Sequence, residues 1–353
     1  MKKYDKPFKS LDDQLSLLHD KRHLDLEGNE EEIKKYLLSV GYYNIINGYG
    51  EQFEINQKES KIYKDNSTFS DIFKQYVADQ AIARAVVPDL LKIEQKLDSL
   101  LGYFVAKAFG VNHFAYGDLN NPWPDDKSYL DRNNYNLSNG PYSSVEKMYE
   151  VIEEAHGNPL AYYRDHANHI PPWILFSATE FGTVNRYYTA LPYEMKLNVA
   201  NYMFPKKYNN LKADNILMRS MFNYLEIVRL FRNQFAHNSR FSFSKFVDFA
   251  LGKKFRDYFK ADFLFSAQEY KSGNGKGDLY NLFIILVLFA DNYSKAAVQI
   301  EYYTNTISSQ FVYFDEFGSQ HTDEKGLSAF ITSSNLPENF NKRLLRFAKI
   351  IHE

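Results

Sequence analysis

Apolar side chains recur every three to four positions through most of this chain, the spacing that lines one face of an α-helix. Residues 11 to 38, LDDQLSLLHDKRHLDLEGNEEEIKKYLL, hold two short helical patterns separated by the turn-forming Glu27-Gly28-Asn29. From Thr68 the helical period runs to Gly110, with Ser70 as the expected N-cap and Gly110 as the expected stop. Pro88 should kink that segment or divide it. Residues 110 to 145, with NNPWPDD and DRNNYNLSNGPYSS, lose the period and read as a loop-rich insertion. Helical patterns return at 144 to 156, 173 to 190, 192 to 203 and 213 to 240. A further helix is expected from Asp278 to about residue 303, apolar on nearly all sides at its centre as a buried core helix would be. The preceding SGNGKG reads as a flexible linker. Strand signals are scarce, the best being SQFVYF at 309 to 314 before the turn-like DEFGS. The pattern predicts a mainly α-helical bundle, with an N-terminal helical segment (1–65) packing on a larger helical domain (66–353).

Composition narrows the chemistry. With 42 Lys and Arg against 44 Asp and Glu, the molecule is no polycation, so any surface for an anionic partner has to be local. There is no cysteine, which excludes disulfides, thiolate nucleophiles and cysteine-based metal sites, and fits a reducing cytosol. The opening MKKYDKPFKSLDDQ lacks the apolar core of a secretory signal. The longest apolar run, LFIILVLFA at 282 to 290, falls well short of the roughly twenty residues that span a bilayer. A cytoplasmic protein with no membrane partner is therefore expected. Its 28 Tyr and 29 Phe suit packing or base stacking equally well.

One stretch concentrates polar chemistry, FRNQFAHNSRF at 231 to 241. Drawn as one helix from Met221 to Arg240, the segment gathers Glu226, Arg229, Asn233, His237 and Arg240 on a single stripe, with Arg232 on its flank. Apolar residues fill the remaining arc, so a buried stripe needs partners or a cleft, while an exposed one is the solvent face of an amphipathic helix. Between residues 205 and 260 there are twelve Lys and Arg but four Asp and Glu. Lys253, Lys254 and Arg256 alternate there with Phe255, Tyr258 and Phe259, a mixture found in single-stranded RNA binders and also on ordinary basic helices.

Other groups carry less. Arg164 and His169 repeat the Arg-x4-His spacing, but Pro171-Pro172 follows and the match reads as a coincidence in a linker. His156, His166 and His169 fit no metal-ligand frame. Gly273, Gly275 and Gly277 around Lys276 lack the GK[ST] step of a phosphate loop. Glu94, Asp98, Glu153 and Glu154 read as solvated helix faces.

RNQFAHNSR resembles the signature of the HEPN superfamily, and more narrowly that of bacterial abortive-infection proteins of the AbiD/AbiF type. KPFKSLDDQLSLL with YLLSVGYYNIINGYGEQF (36 to 53), and HIPPWILFSATEFGTVNRYY (169 to 188), resemble two further blocks of that family. The chain departs from it at Asn238, where a second His is common, and at Asp98, where a basic residue is expected. The resemblance implies a HEPN-like helical bundle and a metal-independent endoribonuclease with no cofactor, in which the ribose 2′-hydroxyl attacks its own phosphodiester to leave a 2′,3′-cyclic phosphate. His237 would move the proton, Arg232 would stabilise the charge on phosphorus, and Asn233 would orient His237 or hold the phosphate. Arg229, Arg240, Lys253, Lys254 and Arg256 would contact RNA. A homodimer with facing motif helices would supply the second His237 and Arg232. The resemblance also leaves open a non-cleaving module that holds a small structured noncoding RNA as a stable ribonucleoprotein, and, more remotely, one half of a toxin and antitoxin pair.

Overall fold

The structure, a computed structural model, describes residues 4, 7–56, 60–114, 117–136, 144–205, 207, 216–237 and 239–353. It is mainly α-helical, as the periodicity predicts. In chain order the elements are α1 (Leu11–Ser16), α2 (Glu30–Ser39), β1 (Glu54–Asn56), β2 (Ser60–Tyr63), α3 (Phe69–Phe109), α4 (Ser144–Glu153), α5 (Leu160–His166), α6 (Pro172–Ser177), α7 (Phe181–Ala190), α8 (Tyr193–Met203) and α9 (Ile216–Ala236). There follow α10 (Lys253–Phe259), α11 (Ala267–Ser272), α12 (Leu279–Phe289), α13 (Tyr293–Ser309), β3 (Val312–Phe314), β4 (Gln320–Thr322), α14 (Glu324–Ser333) and α15 (Phe340–His352). The chain forms two compact units. One comprises Met1–Ala85, Gln234–Ser244 and Tyr302–Glu338; the other comprises Val86–Asn233, Lys245–Glu301 and Asn339–Glu353.

The first unit is built on the N-terminal helices. Ser10 and Asp13 form a capping box that starts α1. The helical run ends at Lys21, earlier than the sequence predicts, with His23 at φ 59°, and Glu27 and Gly28, also left-handed, turn the chain into α2. Leu18, Leu24, Ile33, Leu37, Ile45, Ile46, Phe53 and Ile72 bury together as its core, each worth roughly 1.5–3 kcal/mol relative to exposure. Tyr36 stacks on Phe73 at 4.2 Å. The N-cap of α3 is Thr68 rather than the expected Ser70: the Thr68 hydroxyl accepts from Asp71 N–H and the Asp71 carboxylate accepts from Thr68 N–H. The strand predicted at 309–314 forms only at 312–314, α13 running on to Ser309, and pairs antiparallel with β4; β1 pairs antiparallel with β2, both too short to show a period in the sequence.

Pro88 does not divide α3, which runs unbroken for 41 residues. Arg84, whose carbonyl loses its helical donor, and Pro88 itself are both exposed, so water replaces that bond. Gly110, with φ +78°, ends the helix as expected.

In the second unit every residue of α12 is buried, matching the expected core helix. That helix stops at Phe289, however, and α13 begins at Tyr293, because Asn292 accepts from Lys295 N–H at 3.0 Å and caps a second helix. Asp278 caps α12 as predicted, accepting from Asn281 N–H at 2.8 Å. SGNGKG is an ordered turn, not a flexible linker. Phe246 N–H donates to the Gly277 carbonyl at 2.9 Å and Leu251 N–H to that of Gly275 at 3.1 Å. A Cβ at Gly277, where φ is +69°, would lie 2.1 Å from the Phe246 oxygen, so only glycine fits. Arg164 sits in the short α5, where a linker was expected, and donates to the carbonyls of Glu153 and Ala155 at 2.9 and 2.8 Å, closing the end of α4. Within the insertion, residues 115–116 and 137–143 lie outside the described residues; the rest is irregular apart from a short 3₁₀ turn at Arg132–Asn134.

Candidate functional site

The segment read as one helix to Arg240 leaves the helix earlier. α9 ends at Ala236 and His237 stands in the following turn. Ser239 N–H donates to the Gln234 carbonyl at 2.9 Å, the six-to-one bond that closes many helix C-termini, and His-Asn-Ser is a sequence of low helix propensity. Asn238 itself lies outside the described residues.

Along α9 the polar stripe is partly satisfied within the second unit. Glu226 is buried and accepts from Arg229 Nη2 at 2.8 Å and from Asn185 Nδ2 at 2.8 Å. Gly182, from the Phe-Gly-Thr step, gives the Arg229 stem its space, since a Cβ there would lie 3.0 Å from Arg229 Cδ. Arg229 therefore has an intramolecular partner and only part of its side chain reaches solvent.

Arg232 is more open, with 40% of its side chain exposed. Its Nε lies 3.7 Å from Glu94 Oε2, and one Nη donates to Asn233 Oδ1 at 3.4 Å. Glu94 and Asp98, four residues apart on α3, are not the solvated face that the sequence suggests. Glu94 Oε2 and Asp98 Oδ1 are both buried and accept no hydrogen bond. Burial, with the charge of Glu94 added, pushes Asp98 up to about 8, so it is mostly protonated at pH 7. Burial also raises Glu94, and the Arg232 guanidinium opposes that rise. Glu94 and Asp98 thus form a pair of carboxyl groups that share less than two full charges, with the Arg232 guanidinium beside Glu94. Sequence reading missed the acidic pair because i,i+4 carboxylates look alike on buried and exposed faces.

In the first unit His237 is exposed. The chain just beyond it is firmly held. Arg240 donates to the Gly48 carbonyl at 3.0 Å. The fully buried Asp79 accepts from Phe241 N–H at 2.9 Å, Ser242 N–H at 2.6 Å and Tyr49 O–H at 2.6 Å. Burial pushes the Asp79 carboxyl up, and the bonds from Ser242, Tyr49 and Phe241 pull it back. Gly48 and Tyr49 close the GYY…GY block, so this block braces the backbone three to five residues past His237.

The basic cluster divides. Lys253 and Lys254, at the start of α10, are exposed. Arg256 is 12% exposed, packs over the Phe265 ring at 4.9 Å and donates to the Phe265 carbonyl at 3.3 Å. Phe255 and Phe259 are buried against Phe347, so they pack the core, and Tyr258 remains exposed. Lys206, Lys212 and Asp214 of the basic segment lie outside the described residues.

No helix among the described residues is long and apolar enough to cross a membrane. Curated proteins and solved structures gave no match to the chain. The Abi-like protein family matches residues 35–242, which takes in the GYY…GY block, the Pro-Pro-Trp and Phe-Gly-Thr steps and all of α9 with Arg232, Asn233 and His237. On that match, over more than half of its length, the chain belongs to the Abi-like family of abortive-infection proteins.

Proposed function

We propose that this protein is an RNA-targeting antiphage protein of the HEPN class, a metal-independent endoribonuclease that leaves 2′,3′-cyclic phosphate ends. The observation that carries the reading is the end of α9. Arg232 and Asn233 lie near its end and His237 in the turn after it, all three at least partly exposed, whereas Tyr224 to Val228 and Phe231 just before them are buried. An aqueous Arg, Asn and His in consecutive turns meet the chemical needs of cleavage by the 2′-hydroxyl. His237 takes that proton or returns one to the departing 5′-oxygen, work worth roughly 10²–10⁴ in rate. Arg232 offers its planar fork to the non-bridging oxygens as charge builds on phosphorus. Glu94, at 3.7 Å from Arg232 Nε, orients that fork.

One imidazole cannot act as base and acid in the same step. A homodimer in which two such helix ends face each other would supply the second His237, and the exposed Phe235 beside it offers apolar surface for that contact. Exposed Lys253 and Lys254 would hold the RNA backbone.

The test is made in cells. RNA from bacteria expressing the wild-type chain should accumulate 2′,3′-cyclic phosphate ends and growth should stop; with His237→Ala both effects should vanish. Growth arrest that survives His237→Ala would refute the assignment. The second reading, a non-cleaving module that keeps a small structured noncoding RNA, rests on the same cationic residues, and a discrete RNA copurifying with an inactive protein would favour it.

A further inference from the structure

At the far end of α3 the second unit carries an open pocket of about 510 Å³, a volume suited to a nucleotide-sized ligand, to which the ribonuclease chemistry assigns no role. Its lining includes Phe109, Trp123 and His169, with Asn168, Asp126 and Lys127 adding polar groups. The Trp123 and His169 rings stand 6.0 Å apart at 87°, forming a corner. A flat heteroaromatic ring fits such a corner, its face against one wall and its edge against the other. The polar groups include both donors and acceptors, as a base edge requires, and no row of cations of the kind that would mark a site for phosphate alone.

The walls are tied in place although the sequence here has no regular pattern. Asn112 Nδ2 donates to the Trp123 carbonyl at 3.3 Å, and Tyr129 N–H donates to the Asn112 carbonyl at 2.9 Å. Ile170 N–H donates to His113 Nδ1 at 3.2 Å, and Tyr129 O–H to the Ile170 carbonyl at 2.8 Å. Burial, together with His169, pushes His113 down to about 4, so its ring is neutral and able to accept that bond at pH 7. The loop carrying Trp123 and the segment carrying His169 are thus joined before any ligand arrives, which lowers the ordering cost of binding.

We propose that this pocket is a nucleobase-binding site, with one unpaired base stacking on Trp123 and its edge read by the polar residues at the rim. The inference does not rest on the ribonuclease reading, since a non-cleaving protein could hold a base in the same way. The base could belong to an RNA strand or to a free mononucleotide.

Trp123 itself reports the outcome. In the full-length chain carrying Trp173→Phe it is the sole tryptophan, and its emission is followed while each nucleoside monophosphate, or a short single-stranded oligoribonucleotide, is added. Saturable quenching is expected, weakened about tenfold by His169→Ala, a fold-change typical of losing one aromatic contact to a base. Saturation by the oligonucleotide at lower concentration would assign the base to RNA. Saturation by mononucleotides that the oligonucleotide cannot displace would assign it to a free nucleotide. Quenching that never saturates, or equal competition by ribose 5-phosphate or glucose, would overturn the proposal. Should Trp173→Phe prove unstable, the emission lost between the wild type and Trp123→Phe gives the same reading.

Discussion

His237 is exposed, one position beyond the last residue of α9, so its substitution should remove chemistry and leave the fold intact. His237→Ala is expected to cut the cleavage rate by roughly 10²–10⁴ while the thermal melt stays within a degree or two, as a paired activity assay and circular-dichroism melt would show. Asp98 makes the opposite kind of prediction. Its folded-state value of about 8 lies above the ordinary 3.8, so between those values the folded chain holds a proton that the unfolded chain has lost. Stability should therefore fall as pH rises from about 4 to about 8, and Asp98→Asn should flatten that fall. Melting curves of both proteins across this range decide it; an unchanged slope in the variant would remove Asp98 as the cause. Arg232, Asn233 and His237 could be singled out in the sequence because they fall within six residues and their side-chain types suggest a chemistry, which remains the proposal. Glu94 and Asp98 were not, because what distinguishes them is the burial of two oxygens, a property of the surrounding helices and not of the residues.

Among the elements, the brace on the chain after α9 makes the clearest demand. Asp79→Ala would leave the buried N–H groups of Phe241 and Ser242 without an acceptor, at about 1–3 kcal/mol each, and Tyr49→Phe would remove a single donor at about 1 kcal/mol. Chemical denaturation should rank the two variants in that order, and equal stability of Asp79→Ala and the wild type would rule the brace out. Two halves of α10 should also separate. Lys253→Ala with Lys254→Ala should weaken RNA binding and flatten its salt dependence, whereas Arg256→Ala should mainly lower stability, because its guanidinium is already committed to Phe265 and Asp262. A salt slope unchanged by the double lysine variant would return those lysines to an ordinary solvated face. Element boundaries were less legible than element type. The core helix at 279–289 announced itself by an apolar run, but the cap at Asn292 that starts a new helix, and the left-handed glycines that make 273–277 an ordered turn, act through single backbone contacts that leave no period in the sequence.

For the whole molecule, a net charge of −2 means that the proposed affinity for RNA would have to come from local groups, which would make binding sensitive to salt and to the loss of a few side chains. The mainly helical architecture could be read from the period, and membership of the Abi-like family from the blocks between residues 35 and 242. The proposal that the RN…H residues cut RNA is addressed directly by one experiment. The purified protein, stripped of any copurifying nucleic acid, is incubated with total RNA in EDTA, and the new ends are mapped beside those made by His237→Ala. The account predicts fragments with 2′,3′-cyclic phosphate ends from the wild type and none from the variant. Intact RNA with the wild type, or cleavage that appears only with added magnesium, would contradict it.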